Sequence, residues 1–95
     1  MSAYAVMIRD RMIDADEFAT YGKMAREGRG DNPPKPLAFY GAHEVVEGPP
    51  AEGVVILEFA DMAAAKAWYH SEGYQKALPH RLKGAEYRVI FVEGV

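Results

Sequence analysis

In four stretches of the chain, successive side chains fall into two alternating sets, so that every second residue belongs to the same set. The stretches are SAYAVMIRD (2–10), LAFYGAHEVVEG (37–48), VVILEFA (54–60) and AEYRVIFVEGV (85–95). Because a period of two is typical of β-strands, the pattern predicts four strands. We expect the second strand to bend near Gly41 and to form a hairpin with the third through the turn EGPPAEG (47–53).

Two further stretches have the spacing of amphipathic helices. Asp14 can cap the first helix, which we expect to end at Gly28. Asp61 can cap the second helix, and Ser71 can cap a short extra turn that should end before Pro79. One face of the first helix is small or apolar: Ala15, Phe18, Gly22 and Ala25.

The segment GRGDNPPKP (28–36) follows the first helix and holds three prolines. Proline and glycine interrupt both helices and central strands, so this segment is predicted to be the longest irregular loop. The tripeptide Arg29-Gly30-Asp31 within it is interpreted as a turn and not as an adhesion motif, since glycine and aspartate are common turn residues.

The element order β-α-β-β-α-β predicts an α+β, ferredoxin-like fold for residues 1–95 as one domain. In this fold both helices cover one face of a four-stranded antiparallel sheet. Strands one, three and four are apolar on both sides, so the second face also needs a cover. A second copy of the same sheet is the simplest cover, and we therefore predict a homodimer that associates through the sheet face.

Composition excludes several classes of function. The 95 residues contain no cysteine, which rules out disulfides and thiolate metal sites. The net charge is −3 and no basic stripe is present, so we expect no nucleic-acid partner. No stretch is long enough to span a membrane and the N-terminus does not resemble a signal peptide, so we expect a cytoplasmic protein without a membrane partner. The three histidines match no metal or haem motif, and we predict neither a metal site nor a cofactor.

Several segments together resemble a known family. The segments are EVVEG (44–48), VVILEF (54–59), AAKAWYHSEGYQKALPHR (64–81) and IFVEGV (90–95), and they are similar to domain of unknown function 1330. The resemblance implies the fold and dimer of the dimeric α/β-barrel superfamily, and a small-molecule pocket, but no established reaction. The chain departs from the family pattern at NPPKPLAFYGA (32–42), where a shorter entry with paired glycines is usual, and at SEGY (71–74).

The segment that follows the second helix supplies the first ligand-binding candidates. Arg81 falls on a position that the family pattern shares, and its guanidinium could clamp a carboxylate or enolate oxygen. The alternatives for Arg81 are compensation of charge at a helix C-terminus and an ion pair between subunits. Tyr74 follows a glycine break, so its ring could fold over a cleft. Tyr40 and His43 are further candidates, because residues near a strand bend can line the mouth of a pocket.

Two residues are candidates for proton transfer. Glu58 lies on the strand face opposite Leu57 and could act as a general base, or it could form an ion pair with Arg88 or Arg9. His80 is the second candidate. We expect the aromatic residues of the second helix, Trp68 and Tyr69, to pack in the core.

These residues leave two hypotheses about function. The first is a dimeric protein with a small-molecule pocket between sheet and helices and no assignable reaction. The second is a cofactor-free enzyme, similar to monooxygenases or isomerases, that acts on a small anionic or phenolic compound.

Overall fold

The fold consists of four strands and three helices, seen here in a computed structural model that describes residues 1–30 and 33–95. The elements are β1 (Ala3–Met12), α1 (Ala15–Glu27), β2 (Lys35–Phe39), β3 (Gly53–Phe59), α2 (Met62–Tyr69), α3 (Glu72–Gly84) and β4 (Ala85–Glu93). Asp31 of the predicted turn at Arg29-Gly30-Asp31 lies outside the described residues.

The strands form one antiparallel sheet in the order β2-β3-β1-β4. Ala5 pairs with Leu57 and with Phe91, and these side chains face the helices. Their neighbours point to the opposite face, because side chains alternate along a strand. The sheet order and the element order confirm the predicted ferredoxin-like α+β fold.

The predicted helix caps are all confirmed. Asp14 accepts hydrogen bonds from the backbone N–H groups of Asp16 and Glu17 at 3.0 and 3.2 Å. Asp61 accepts one from Ala64 at 2.8 Å. Each cap satisfies donors that have no partner within the helix, which contributes about 1 kcal/mol.

The turn predicted after Ser71 is in fact a full helix of 13 residues. Ser71 caps this helix as expected, since its Oγ accepts from the N–H of Tyr74 at 3.3 Å. The prediction that the helix ends before Pro79 is wrong, because α3 continues to Gly84. Pro79 is exposed, so water can solvate the carbonyl of Gln75 that the proline ring leaves without its helical donor.

The second strand is shorter than predicted and begins earlier. It ends at Phe39, because Tyr40 adopts a positive φ of 56° that turns the chain out of the sheet. The bend predicted near Gly41 therefore lies at the preceding residue, Tyr40. Pro36 enters the strand, which the irregular-loop prediction did not allow; β2 is at the sheet edge, where a missing N–H is tolerated. Residues 41–48, which were predicted to continue the strand, are exposed and irregular.

The core lies between the sheet and the helices in two connected clusters. One cluster contains the inward side chains of β1 and β3 with Ala65 of α2. The other contains Tyr21, Tyr74 and Ala77 and joins α1 to α3. Trp68 packs against both clusters, and Tyr69 packs against the second, which is the core role predicted for them.

The sheet face away from the helices is apolar, and the described residues of the chain leave it uncovered. Val6, Ile56 and Ile90 pair across it in register. Ile90 of β4 is 49% exposed and Val92 is 47% exposed. We call this surface the open face; it is formed by Tyr4, Val6, Ile8, Val54, Ile56, Ile90 and Val92 with Glu58 and Arg88.

Candidate functional site

A cleft of about 680 Å³ lies between α1 and the helix-facing side of the β2–β3 edge. Its sheet wall contains Met7, Val55 and Leu57, and Trp68 of α2 closes one side. Its size and apolar lining are those of a small-molecule pocket. The remaining lining residues come from α1 and from the chain after it: Phe18, Ala19, Tyr21, Gly22, Ala25, Arg26, Arg29, Pro34, Pro36, Phe39 and Tyr40.

The α1 wall leaves this space open because its central residues are small. Ala19, Gly22 and Ala25 follow at intervals of three and line the cleft together. Gly22 has no side chain, and a Cβ atom there would meet only Arg26 Nη1, at 3.5 Å. Three residues of the small or apolar face predicted for α1, Phe18, Gly22 and Ala25, therefore border a cavity.

Tyr40 stands at the edge of the cleft in a conformation that few residues adopt. Its positive φ of 56° is unfavourable for a side chain with a Cβ atom, at a cost on the order of 1 kcal/mol. Its hydroxyl bonds to the hydroxyl of Tyr87, and the Arg9 guanidinium lies 4.9 Å from its ring centre. A Cβ atom at Gly53 would lie 2.6 Å from the ring, so that glycine makes room for it. These contacts hold Tyr40 toward the cleft.

Tyr21 connects the cleft to a buried polar group behind it. Its hydroxyl lies 3.0 Å from the hydroxyl of Tyr74, which is only 1% exposed. Arg81 is 4% exposed, and its guanidinium lies 5.1 Å from the ring centre of Tyr87. The predicted ligand residues Arg81 and Tyr74 thus lie behind the wall of the cleft and do not line it.

Burial sets the protonation of these phenols. It raises the pKa of Tyr21 far above its ordinary value, and the neighbouring Tyr74 adds to the effect. Burial also raises the pKa of Tyr74, although the Arg81 charge and the bond from Tyr21 oppose it. The pKa of Tyr87 is raised by burial and then by its bond to Tyr40. All three phenols are therefore neutral near pH 7 and act as hydrogen-bonding groups.

The other predicted site residues lie apart from the cleft. His43 is exposed in the loop after β2, and its Nε2 lies 2.9 Å from the carbonyl of Ala51. His80 lies between α1 and α3, with Nδ1 2.6 Å from Glu17 Oε2. Of the six site residues predicted from the sequence, the structure places only Tyr40 on the cleft.

Glu58 lies on the open face, opposite Leu57 as expected. Its carboxylate is 3.5 Å from the Tyr4 hydroxyl. The arginines considered as its ion-pair partners contact other carboxylates, Arg88 with Asp10 at 3.0 Å and Arg9 with Glu52 at 3.5 Å.

Sequence reasoning missed the polar residues that do line the cleft. Tyr21 and Arg26 of α1 and Arg29 after its cap are there. The available signal was the position of Tyr21 and Arg26 beside the small residues Gly22 and Ala25. None of the described lining residues is acidic and none is histidine, so the described wall supplies no general base of the ordinary kind. Among the described residues, no group of three or more His, Asp or Glu side chains could hold a metal ion. No helix in the described part of the chain is long and apolar enough to cross a membrane.

The fold and the cleft together define a ferredoxin-like α+β domain with a pocket between its first helix and the edge of its sheet. The chain belongs to the family described as Domain of unknown function (DUF1330), which matches residues 2–95. The family resemblance noted in the sequence is thereby confirmed.

Solved structures share this fold. A protein of unknown function from Rhodopseudomonas palustris is 17% identical, with a TM-score of 0.79 over 99% of this chain and 82% of that chain. A protein from Bacteroides fragilis, described as dimeric, of unknown function and ferredoxin-like, is 10% identical, with a TM-score of 0.60 over 98% of this chain and 96% of that chain. No curated protein matches the sequence. These comparisons establish the family and the fold and assign no reaction.

Proposed function

We propose that this protein binds a small, largely apolar molecule in the cleft between α1 and the β2–β3 edge. The observation that carries the proposal is a cavity of about 680 Å³ whose wall is mainly apolar and aromatic, with few polar groups at fixed positions. The hydroxyls of Tyr21 and Tyr40 are held by their bonds to Tyr74 and Tyr87. Such fixed polar groups orient a ligand, while the apolar wall supplies most of its affinity.

Binding is better supported than catalysis. A cofactor-free monooxygenase or isomerase needs a group that moves a proton at the bound molecule. The candidates for that role, Glu58 and His80, lie on the open face and between the helices, away from the described lining of the cleft.

Gly22 allows a direct test of the binding proposal. Replacing glycine in a helix with alanine or leucine should stabilise α1 by about 0.5–1 kcal/mol. Gly22→Leu would also place a branched side chain in the cleft. Gly22→Ala adds only one methyl group, which would make an ordinary van der Waals contact with Arg26 Nη1 at 3.5 Å. We expect Gly22→Leu to lose ligand binding while the fold is retained, and Gly22→Ala to keep it.

The assay is a thermal-shift screen of small aromatic carboxylates, phenols and quinones, because a ligand that binds only the folded protein raises its melting temperature. Compounds that shift the wild-type protein and Gly22→Ala but not Gly22→Leu would place binding in the cleft. An unchanged shift in Gly22→Leu, or no shift of the wild-type protein by any compound, would contradict the proposal.

We also propose that the protein forms a homodimer through the open face. A monomer would leave this apolar surface in water, which soluble monomers rarely do over several hundred Å². The related fold from Bacteroides fragilis is described as that of a dimeric protein. The opposing sheet of a second copy is also apolar by symmetry, so the two faces complement each other.

Sedimentation at micromolar concentration tests the dimer, with Ile90→Asp and Leu82→Asp as a matched pair. Ile90 is 49% exposed on the open face, and Leu82 is 64% exposed on α3. Both changes place a charge at an exposed apolar position, so neither should unfold the domain. We expect a dimer for the wild-type protein and Leu82→Asp, and a shift to monomer for Ile90→Asp. A folded wild-type monomer, or a dimer unaffected by Ile90→Asp, would refute the proposed interface.

A further inference from the structure

Two arginines form part of the cleft wall at the end of α1. Arg26 lies in the last turn of the helix, and Arg29 follows the capping residue Gly28. The guanidinium of Arg26 reaches back along α1, because its Nη1 lies 3.5 Å from the position of a Cβ atom on Gly22. The Nε of Arg29 donates to the backbone carbonyl of Arg26 at 3.3 Å, which holds the Arg29 side chain at the end of α1.

The described wall of the cleft is positive although the chain as a whole is negative. The net charge of the protein is −3, yet the only charged side chains among the described lining residues are these two guanidinium groups. A third cation, Arg9, lies behind the wall, 5.2 Å from the ring centre of Phe18 and 4.9 Å from that of Tyr40, but Glu52 at 3.5 Å offsets its charge. The positive charge at the wall thus comes from Arg26 and Arg29. A ligand in the cleft therefore meets a local positive potential, which favours an anion.

A structural role at the helix terminus explains only part of this arrangement. A cation in the last turn of a helix interacts favourably with the helix dipole, and Arg26 has that position. Arg29 lies beyond the cap and also serves the helix end, since its Nε bonds the carbonyl of Arg26. That bond uses only one of the N–H donors of Arg29, and the dipole gives neither side chain a reason to lie on an apolar cavity. Arginine does suit such a place, because its planar group binds a carboxylate with two parallel hydrogen bonds and tolerates aromatic surroundings.

The rest of the wall fits a flat ring. Phe18, Tyr21, Phe39, Tyr40 and Trp68 all border the cavity, and aromatic faces and edges pack well against planar aromatic molecules. The wall has too few polar groups to satisfy a sugar or a chain of phosphates, whose many oxygen atoms would lose water without gaining partners.

Resting on the proposed binding function, we infer that the ligand of the cleft is a planar aromatic carboxylate whose carboxylate group is bound by Arg26 and Arg29. The ring occupies the aromatic part of the cavity, and the carboxylate points to the end of α1. This assigns to Arg26 and Arg29 the anion-binding role that the sequence suggested for Arg81.

A pair of probes that differ in charge tests this inference. 2-Naphthoate carries a carboxylate on a planar ring system, and 2-naphthamide has nearly the same shape without the charge. We expect calorimetric titration of the wild-type protein to give binding of 2-naphthoate about tenfold or more tighter than that of 2-naphthamide, the factor of a charge-assisted hydrogen bond. In the double variant Arg26→Gln/Arg29→Gln this preference should disappear, while 2-naphthamide binds as before.

The matched control is Lys23→Gln/Lys66→Gln. It removes the same formal charge from exposed positions on α1 and α2 that do not line the cleft. We expect it to keep the preference for the anion, because exposed charges farther from the ligand are screened by salt. If Arg26→Gln/Arg29→Gln and Lys23→Gln/Lys66→Gln lost the preference for 2-naphthoate equally, the preference would reflect net charge alone. That result would overturn the inference.

The remaining outcomes separate this inference from the proposed function. Equal affinity of the two probes for the wild-type protein, with both lost in Gly22→Leu, would overturn the arginine assignment and leave cleft binding in place. A tenfold preference that survives Arg26→Gln/Arg29→Gln would also overturn it. Absence of binding by both probes would overturn the inference and count against the proposed function as well.

Discussion

Tyr21→Phe is expected to destabilise the protein at pH 8 but not at pH 11. The substitution removes one hydroxyl from the buried pair with Tyr74, whose oxygen atoms lie 3.0 Å apart. Tyr21 is 8% exposed and Tyr74 is 1% exposed, so water does not readily replace the lost partner. A phenylalanine ring fills nearly the same space, and the change therefore probes the hydroxyl and not the packing.

Two effects of opposite sign determine the result. The lost hydrogen bond should lower the free energy of unfolding by about 1 kcal/mol at any pH. Burial raises the pKa of Tyr21 in the folded protein far above that of an unfolded tyrosine, which is about 10. The unfolded state alone then releases this proton above pH 10, so the stability contributed by Tyr21 is present below pH 10 and is lost as the pH rises. At pH 11 the wild-type protein should have lost about 1.4 kcal/mol through this residue, whereas the variant loses nothing there.

The measurement is urea unfolding at pH 8 and pH 11, followed by the fluorescence of Trp68, the only tryptophan. Protein concentration must be the same in all samples, because dimer formation would couple to stability. The variant should be about 1 kcal/mol less stable than the wild-type protein at pH 8 and as stable or slightly more stable at pH 11.

Tyr74→Phe and the double variant complete a mutant cycle. Removing both hydroxyls should cost less than the sum of the single changes, since neither partner is then left unsatisfied. If Tyr21→Phe lost as much stability between pH 8 and pH 11 as the wild-type protein, the burial of a neutral phenol at this position would be refuted.

Two further predictions concern the helices. Gly73→Ala should lower the free energy of unfolding by about 1–3 kcal/mol, because the added Cβ atom would push α3 away from α1. That atom would lie 2.5 Å from the carbonyl oxygen of Gly28 and 2.7 Å from its Cα. An unchanged melting temperature would contradict this close approach. Pro79→Ala should raise the free energy of unfolding by up to about 3 kcal/mol, because alanine restores an N–H group that can bond the Gln75 carbonyl. The position is exposed on α3. A variant that is less stable in urea unfolding would show that the proline is favourable in this helix.

The parts of the fold that could be predicted are those specified by neighbouring residues. The side chains of Asp14, Asp61 and Ser71 cap the helices that follow them. The strand alternation is equally local, since each side chain faces away from the next. The element order then leaves few ways to arrange the sheet, and the ferredoxin-like order of strands follows.

The errors occur where distant contacts override a local signal. Pro79 normally ends a helix, but the helix around it is secured by the burial of Tyr74, Ala77 and Arg81 on the opposite side. The pattern after Phe39 has the alternation of a strand, but the chain leaves the sheet at Tyr40, whose ring is held by Tyr87 and Arg9. Neither outcome could be predicted from the neighbouring residues in the sequence alone.

The same reasoning explains why the sequence pointed to Arg81 and not to the two arginines that line the cleft. A helix that ended before Pro79 would leave Arg81 free to turn toward a cleft. The continuous α3 instead directs its side chain inward, to the hydroxyl of Tyr74 and the ring of Tyr87. Arg26 in the last turn of α1 and Arg29 just after its cap carry the same charge beside a helix whose middle residues are small. A cavity exists only where side chains leave space. Whether an arginine can reach a ligand therefore depends on where the packed side chains leave a cavity. On α1 that cavity lies beside Gly22. Because a cavity is defined by atoms from several distant segments, a pattern of charges along one segment could not locate it.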